Sequence, residues 1–301
     1  MRFHSFAKVN LRLEVLRRRD DGFHELRTVF QTIDLADEIE LTLAKPGVEL
    51  ELSGAPGLPA DESNLAWRAA ARFLARWGTA GDGVRIRLKK HIPVGGGLGG
   101  GSANAASVLM GMCALFGRVA RRAELEAMAA DLGSDVPFFL HGGTALGTGR
   151  GERIEPLADP LAAALELWLA VPAVAVATSA VFAAHRVGMA PRSDRGGWGG
   201  GAIAGLPPAW SALLGWNDLE PTCLALYPAV RDVYNHLSES GALAVRLCGS
   251  GSTIFALFAD RAAGQAAGDR LGNDTIWLPV HTLSREGWRR RSGWNALSGG
   301  S

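Results

Sequence analysis

Apolar and polar residues alternate through much of positions 1–92, with the period of two that is typical of half-buried β-strands. The alternation begins in KVNLRLEVL (8–16), where every second residue is valine or leucine. It returns in three later segments, VFQTIDLADEIELTL (29–43), VELELSG (48–54) and GVRIRLKKHI (83–92). The pattern predicts four strands in the N-terminal part of the chain.

Helical spacing of apolar residues replaces this alternation in three segments. ESNLAWRAAARFLARWG (62–78) has a capping residue, Ser63 or Asn64, before its apolar positions and Gly78 after them. A second helix is predicted from about Ser102 and a third in RRAELEAMAADLG (121–133). Because strands and helices interleave irregularly, we predict an α+β fold rather than a regular βαβ series.

The second half of the chain continues the mixed pattern. GTALGTGRGERIEPL (143–157) predicts a strand or hairpin, and ALELWLAVPAVAVATSAVF (164–182) predicts a strand, a loop and the start of a helix. GALAVRLCGSGSTIFALFAD (241–260) predicts a strand-turn-strand unit. The Gly/Pro-rich stretch 188–208 predicts a mobile loop. We expect one domain at 1–150, a second at 151–284, and a weakly ordered basic tail at 285–301.

Composition narrows the classes of function. The chain has 31 basic and 30 acidic side chains, whereas binding to nucleic acid needs a clear basic excess or patch. The apolar run 165–176 contains Glu166 and Pro172 and is too short to cross a bilayer. The N-terminus lacks the apolar region of a signal peptide. We therefore expect a cytoplasmic protein with no nucleic-acid or membrane partner.

A glycine-rich loop precedes the second predicted helix. Six of the seven residues at 95–101 are glycine, and each costs about 0.5–1 kcal/mol relative to alanine in regular structure. Without Cβ atoms, successive backbone N–H groups can converge on a phosphate, and a helix N-terminus adds further N–H groups and the positive end of its dipole. The loop predicts phosphate binding, with a flexible linker as the alternative.

Two other phosphate motifs fit this loop poorly. No lysine precedes Ser102, as the P-loop pattern G-x-x-x-x-G-K-[ST] requires. The dinucleotide fingerprint lacks its acidic residue about twenty positions further on, after a strand. The loop alone therefore indicates phosphate without specifying an enzyme.

The stretch PVGGGLGGGSANAA (93–106) resembles the P-x-x-x-G-L-G-S-S-A-A motif of the GHMP kinases, named for galacto-, homoserine, mevalonate and phosphomevalonate kinases. Further stretches resemble one branch of that family and follow its order: AKVNLRLEVLRRRDDGFHELRTVFQTIDLAD (7–37), LGSDVPFFLHGGTALGTGRGE (132–152), WNDLEP (216–221) and LCGSGSTIFALF (247–258). Together the matches cover most of residues 6–258.

The resemblance implies an N-terminal ribosomal-S5-like α+β domain and a C-terminal ferredoxin-like domain, with the active site in the cleft between them. The branch implies ATP-dependent phosphorylation of the 2-hydroxyl of a cytidine-diphosphate-linked methylerythritol, in non-mevalonate isoprenoid precursor biosynthesis. ATP and this small molecule would be the partners, and Mg²⁺ would arrive with ATP. The protein would be a monomer or a homodimer.

The resemblance also implies two catalytic residues. Asp135 matches the family's catalytic aspartate, which accepts the proton of the substrate hydroxyl, and Lys8 matches the lysine beside it. The positive charge of Lys8 would favour the carboxylate and an alkoxide-like transition state. On the residues alone, Ser134 or Asp135 could instead cap a helix with Pro137 in its first turn, and Lys8 could be a solvated charge.

The phosphates of ATP would lie on the glycine loop, and the turn 249–251 would help to close the floor of the cleft unless it is simply a hairpin turn. Ser102 could reach a phosphate oxygen or a phosphate-bound Mg²⁺. The expected ATP-binding residues are Pro93, Gly95, Gly96, Gly97, Leu98, Gly99, Gly100, Gly101, Ser102, Asn64 and Lys90. We predict no structural metal, because the spacing of His141, His185 and Cys248 fits no ligand set.

DGFH (21–24) resembles a D-G-Y-H stretch whose aromatic ring and histidine hold the cytosine of the substrate. Phe23 replaces the usual tyrosine, so stacking survives and any phenol hydrogen bond is lost. His24 would contact the cytosine edge, Phe182 would cover the opposite face with Thr178 nearby, and Asn10 would join the polar contacts to the substrate. Core packing is the alternative for Phe23 and Phe182.

Three other functions remain open. A GHMP kinase of the homoserine or mevalonate type would not need the DGFH stretch or Phe182, because its substrate has no pyrimidine. A catalytically silent nucleotide-binding relative would have no reason to keep Lys8, Asp135 and Ser102 together. Nucleic-acid binding would rest only on the short basic segment REGWRRRSGW (285–294).

Overall fold

The computed structural model describes residues 1–160, 164–186 and 203–293. Its first sheet contains the four strands predicted from alternation and the predicted hairpin. Their bounds are β1 (Arg2–Arg18), β2 (His24–Leu43), β3 (Gly47–Ser53), β4 (Gly83–Lys89), β5 (Thr144–Gly149) and β6 (Arg153–Pro156). The sheet order is β3-β4-β2-β5-β6, and β1 pairs with β2. Strands β3 and β4 run parallel, and the remaining pairs are antiparallel.

Strand β1 is buried on both faces, not on one as its alternation predicted. Its polar residues are as inaccessible as its apolar ones: Lys8 is 2% exposed and Asn10 3%. The reason is a segment from the C-terminal half of the chain that lies along β1. The backbone N–H of Gly215 donates to Leu11 O at 2.9 Å, and the N–H of Leu13 donates to Trp216 O at 2.9 Å. The polar face of β1 therefore becomes an inner wall between the two halves.

Helices cover the other side of this sheet. Their bounds are α1 (Leu65–Trp77), α2 (Gly100–Leu115), α3 (Arg122–Leu132) and a 3₁₀ helix (Val136–Leu140). Helix α1 begins as predicted, because the Asn64 side chain accepts the N–H of Ala66 at 3.0 Å. Helix α2 begins two residues before the predicted Ser102, because Gly99 adopts a left-handed conformation and ends the loop there. Phenylalanine and small side chains fill the interface between these helices and the sheet.

The second sheet has the order β10-β7-β9-β8, with every pair antiparallel. Its strands are β7 (Glu166–Pro172), β8 (Ala244–Leu247), β9 (Ile254–Leu257) and β10 (Thr275–His281). The helices of this half are α4 (Thr178–Ala184), α5 (Pro208–Leu213), α6 (Glu220–Leu226), α7 (Pro228–Glu239) and α8 (Arg261–Gly268). The predicted domain boundary at residue 150 falls inside the hairpin of β5 and β6, so the first sheet extends to Pro156.

The basic tail differs from its prediction. Residues Arg285–Ser292 form helix α9, which begins where the Ser284 hydroxyl accepts the N–H of Gly287 at 3.0 Å. Trp288 is 5% exposed and packs in the N-terminal core, where Gly142 leaves room for its ring. One buried tryptophan therefore orders a segment whose periodicity is poor, and the expectation of weak order is wrong for 285–293. Residues 294–301, and 188–202 of the predicted loop, lie outside the described residues.

No helix in the described ranges combines the length and the apolar character needed to span a bilayer.

Candidate active site

A cavity of about 820 Å³ opens between the two halves of the molecule. Its walls come from β1 and β2, the glycine loop, the start of the 3₁₀ helix, helix α4 and the turn between β8 and β9. Seven residues predicted to act in catalysis or substrate binding line it: Lys8, Asn10, Phe23, His24, Asp135, Thr178 and Phe182. The fold thus gathers into one cleft side chains that are distant in the sequence.

Lys8 and Asp135 form an ion pair in this cavity. The Lys8 Nζ lies 3.5 Å from Asp135 Oδ2, with the lysine side chain 3% exposed and the aspartate side chain 34% exposed. Asp135 precedes the 3₁₀ helix but its side chain makes no capping hydrogen bond. The carboxylate therefore faces the cavity and its lysine, not the helix, and Lys8 is not a solvated charge.

A chain of hydrogen bonds fixes the position of Lys8. Its Nζ donates to Asn10 Oδ1 at 2.7 Å, and Asn10 Nδ2 donates to Thr28 Oγ1 at 2.8 Å. The Thr28 hydroxyl donates in turn to Arg12 O at 2.6 Å. Both ends of the Asn10 amide are engaged within the protein, so its direct effect is to orient the ammonium of Lys8.

The glycine loop is held against the second glycine turn, 249–251. A Cβ at Gly97 would lie 2.1 Å from Cys248 O, and one at Gly96 would lie 2.4 Å from Thr253 Oγ1. The N–H of Thr253 donates to Gly96 O at 3.1 Å, and the N–H of Lys8 donates to Leu98 O at 3.0 Å. These glycines therefore permit close contact between two segments of the protein, a reason that the sequence analysis did not identify.

The first turn of α2 presents backbone donors beside this contact. No side chain caps the helix, and the N–H groups of residues 100–102 have no acceptor one turn earlier in the helix. Gly99 adopts φ 72°, which brings the chain into the helix without a side chain over these donors. Together with the helix dipole, such an N-terminus favours an anion. The half-buried Ser102 stands in the same turn.

Lys90 does not line the cavity. Its ammonium is paired with the fully buried carboxylate of Asp37 and donates to Asn104 Oδ1 at 3.0 Å. Asp37 also accepts the backbone N–H groups of His91 at 2.7 Å and Ile92 at 2.9 Å. Lys90 thus belongs to a buried network beneath the glycine loop, which departs from its predicted contact with ATP. The other such candidate, Asn64, also lies outside the cavity, and caps α1.

Aromatic rings occupy another part of the cavity. Phe23 is 49% exposed, and the Arg150 Cζ lies 4.8 Å from its ring centroid. The rings of His24 and Phe182 have centroids 5.2 Å apart and are tilted by 31°. The Thr178 and Ser250 hydroxyls are 2.8 Å apart, which ties the start of α4 to the second glycine turn. The exposure of Phe23 rules out core packing for its ring.

Both histidines in this part of the cavity are shifted toward the neutral form. Burial, followed by the positive charges of His185 and Arg18, lowers the pKa of His24 below its usual 6.5. Burial lowers the pKa of His185 as well, against an opposing effect of Asp218. At neutral pH the cavity therefore offers uncharged imidazole rings, which can donate and accept hydrogen bonds.

Several lining residues were missed by the sequence analysis, namely Arg18, Thr28, Ser134, Arg150 and His185, whereas Ser250 lies in the turn that was expected at the floor of the cleft. Arg150 lies within a stretch that carried the resemblance, GTALGTGRGE. A signal was therefore present, but side-chain direction, which the sequence did not give, decides which residue of such a stretch faces the cleft.

The side chains fit a magnesium ion carried by ATP better than one held by the protein alone. Within the described ranges, no group of three or more His, Cys, Asp or Glu side chains is arranged to hold a metal. Mg²⁺ in kinase sites is bound by one or two protein oxygens together with substrate phosphates. The half-buried Ser102 stands beside the N–H groups of the α2 first turn, and its hydroxyl is an oxygen of the kind that could complete such a set.

Family profiles match both halves of the chain. The profile described as GHMP kinases N terminal domain matches residues 64–143, and the one described as GHMP kinases C terminal matches residues 202–275. The first of these contains the glycine loop and Asp135.

Relatives match over nearly the full length. The chain is 42% identical over 279 residues to the 4-diphosphocytidyl-2-C-methyl-D-erythritol kinase of Moorella thermoacetica, covering 89% of this chain and 93% of that one. It is 43% identical over 286 residues to the kinase of the same name from Mycolicibacterium smegmatis, covering 92% and 88%. A crystal structure of 4-(cytidine 5'-diphospho)-2C-methyl-D-erythritol kinase superposes with a TM-score of 0.74 at 35% identity, covering 94% and 99%.

A homoserine kinase from Cytophaga hutchinsonii shares the fold, with a TM-score of 0.68 at 24% identity over 94% of this chain and 95% of that one. Profiles, relatives and structures agree over both halves of the molecule. The chain belongs to the GHMP kinase family of ATP-dependent small-molecule kinases.

Proposed function

We propose that this kinase transfers the γ-phosphate of ATP to the 2-hydroxyl of 4-diphosphocytidyl-2-C-methyl-D-erythritol, a step of non-mevalonate isoprenoid precursor biosynthesis. The observation that carries the proposal is one cavity that joins the Lys8–Asp135 ion pair to the rings of Phe23, His24 and Phe182. The relatives' names supply the substrate, and the cavity offers a place for its two ends.

In the reaction, the substrate oxygen forms a bond to the γ-phosphorus of ATP while the bond from phosphorus to the β-bridging oxygen breaks and ADP leaves. Asp135 takes the hydroxyl proton. Lys8, held by Asn10 at 2.7 Å, supplies positive charge where the oxygen gains negative charge. Because phosphoryl transfer needs little covalent work from the protein, alignment and charge neutralisation account for most of the acceleration.

The nucleotide phosphates lie on the backbone donors of the α2 first turn, residues 100–102, in this proposal. The second glycine turn closes the floor beneath them, with Ser250 at the cavity surface. When bound with ATP, Mg²⁺ would neutralise part of the phosphate charge, and the Ser102 hydroxyl would be the protein oxygen that joins it. Lys90 does not contact ATP in this proposal. It stabilises the glycine loop through the buried network with Asp37, which holds residues on both sides of the loop.

In this proposal the rings of Phe23 and Phe182 cover the faces of the substrate cytosine, and His24 contacts the edge of the base. A neutral His24 can donate to or accept from a pyrimidine edge, and the depressed pKa of this ring keeps it neutral at pH 7. This pyrimidine site separates the proposed substrate from homoserine and mevalonate, which have no base.

A substrate panel tests the proposal. The purified full chain is given ATP and Mg²⁺ with the cytidylated polyol, the same polyol without cytidine diphosphate, homoserine or mevalonate. We expect ADP release with the cytidylated polyol only, and phosphate at its 2-position by ³¹P and ¹³C NMR. Equal turnover of homoserine or mevalonate would contradict the substrate assignment.

A further inference from the structure

Arg150 is a half-buried cation in the cavity, and among the described residues it forms no ion pair within 4 Å, although the Asp21 carboxylate attracts it from a longer distance. Its guanidinium lies over the face of Phe23, with Cζ 4.8 Å from the ring centroid. Asp21 belongs to the same loop as Phe23, but its carboxylate is paired with Arg19 at 3.0 Å. A partly desolvated guanidinium that the protein does not pair with an acid is suited to an anionic ligand.

The position of Arg150 lies between the two functional ends of the cavity. On one side it touches Phe23, next to the His24 and Phe182 rings. On the other side its neighbour Gly151 abuts the catalytic pair, since a Cβ at Gly151 would lie 3.7 Å from Asp135 Oδ1. Arg150 and its neighbour Gly151 thus form a part of the cavity wall that borders both the aromatic rings and the Asp135 carboxylate.

The charges of the side chains that line the cavity favour an anionic ligand beside Arg150. The side chains assigned to the pyrimidine end, Phe23, His24, Thr178 and Phe182, are uncharged at pH 7, so none of them balances an anion. Asp135 is the acidic residue that lines the cavity in the described ranges, and Lys8 already neutralises it. Arg18 and Arg150 therefore supply positive charge that the other lining groups do not cancel, and of these two Arg150 is the one that lies over Phe23.

We propose that Arg150 binds the diphosphate of the cytidylated substrate and thereby selects for substrates in which a diphosphate links the base to the polyol. The inference rests on the proposed function and adds a specificity-determining residue to it. The guanidinium presents several N–H donors in a fixed plane, which suits two phosphate oxygens, while its other face rests on Phe23. Phe23 thus positions Arg150 as well as facing the base.

Two measurements test this role. In steady-state kinetics, Arg150→Ala should raise KM for the cytidylated polyol by about ten- to a hundred-fold, the loss expected for a charge-assisted hydrogen bond, without raising KM for ATP. Arg150→Lys should recover part of the loss, because a single ammonium replaces the planar fork. Arg153→Ala is the matched control, since Arg153 is exposed on β6 and does not line the cavity.

The second measurement separates base from diphosphate. Calorimetry compares cytidine with cytidine diphosphate, in the presence of a saturating non-hydrolysable ATP analogue that occupies the nucleotide site. The wild-type chain should prefer cytidine diphosphate, and Arg150→Ala should lose that preference while binding cytidine as before. Thermal unfolding confirms that each variant is folded.

The outcomes distinguish a failure of the proposed function from a failure of the role assigned to Arg150. If the wild-type chain binds neither cytidine nor its diphosphate, the proposed function fails. If it prefers the diphosphate and Arg150→Ala keeps that preference, or if the variant raises KM for ATP instead, the assignment of Arg150 is overturned while the proposed function stands.

Discussion

The Lys8 Nζ and the Asp135 Oδ2 are 3.5 Å apart, although one belongs to the first strand of the sheet and the other to the start of the 3₁₀ helix that packs against α2. Lys8 is buried and held by Asn10, whereas Asp135 keeps a third of its side-chain surface open to the cavity. The pair therefore combines a fixed cation with an accessible base.

Asp135→Asn should lower kcat by about 10²–10⁴-fold, because an amide cannot take the hydroxyl proton. Nucleotide affinity should remain, since the proposed phosphate site consists of backbone N–H groups and not of Asp135. Steady-state assays and calorimetry with an ATP analogue measure the two effects. Asp131→Asn serves as control, since that carboxylate is 62% exposed on α3 and pairs with Arg72. Turnover retained by the Asp135 variant would remove this residue from the mechanism.

Lys90→Ala should destabilise the protein by about 3–5 kcal/mol, because it leaves the buried carboxylate of Asp37 without its cation. Lys89→Ala is the matched control. Its ammonium pairs with Glu38 at 3.0 Å on the surface, where such a pair contributes under about 1 kcal/mol. Urea unfolding measures both variants. An unchanged unfolding free energy for Lys90→Ala, together with a raised KM for ATP, would indicate instead that Lys90 contacts the nucleotide directly.

Gly97→Ala should weaken both stability and ATP binding. A Cβ there meets Cys248 O at 2.1 Å, and the left-handed φ of +81° is unfavourable for alanine. Gly117→Ala isolates the second effect, because Gly117 has φ +60° and no atom within 4 Å of its added Cβ. We expect about 1–2 kcal/mol of destabilisation at position 117 from the backbone conformation alone, and a larger loss at position 97. Equal melting temperatures and unchanged KM for ATP in the two variants would contradict this contact.

The affinity for cytidine should be constant from pH 8 to about 6.5 and fall below that value. The pKa of His24 is depressed, so the ring is neutral over the upper range and charges only at lower pH, and a ligand that covers the ring favours the neutral form. Cytidine carries no phosphate that would titrate in this range. His24→Gln should bind more weakly and lose the pH dependence. Equal affinity of the wild-type chain and His24→Gln for cytidine, at every pH measured, would exclude His24 from the base site.

The same shift affects folding. Because the folded-state pKa of His24 lies below that of the unfolded chain, the unfolded chain takes up the proton first as the pH falls. Stability is therefore complete above the ordinary pKa of 6.5 and decreases as the pH drops through and below it. Thermal unfolding of wild type and His24→Gln over this range measures the contribution.

The strands and helices could be predicted because their apolar periodicity is strong, as in β1 and α1. The degree of burial could not. Strand β1 has the alternation of a half-exposed strand, yet Lys8 and Asn10 are buried, because residues 215–218 from a distant part of the sequence cover that face. Periodicity describes one element, whereas the covering segment is a property of the whole fold.

The proposed catalytic pair and the residues proposed to hold the base came from the resemblance to known kinases, and the structure brings all of them into one cavity. Residue types without a distinctive pattern were assigned less well. Lys90 is one of the expected nucleotide contacts, but its partner Asp37 lies on β2, and sequence spacing does not reveal that pairing. Trp288 likewise anchors a segment whose composition suggested disorder.

The contact between the glycine loop (95–101) and the second glycine turn (249–251) limits how chimeric enzymes can be designed. The carbonyl of Gly96 accepts the N–H of Thr253, and a side chain at Gly97 would collide with the carbonyl of Cys248. The main-chain conformation of each segment must therefore match that of the other. Chimeras that combine one half of this enzyme with the complementary half of a relative must transfer both turns as a matched set. Exchange of a single half would alter the contact between these two main-chain segments, even where every side chain that lines the cavity is retained.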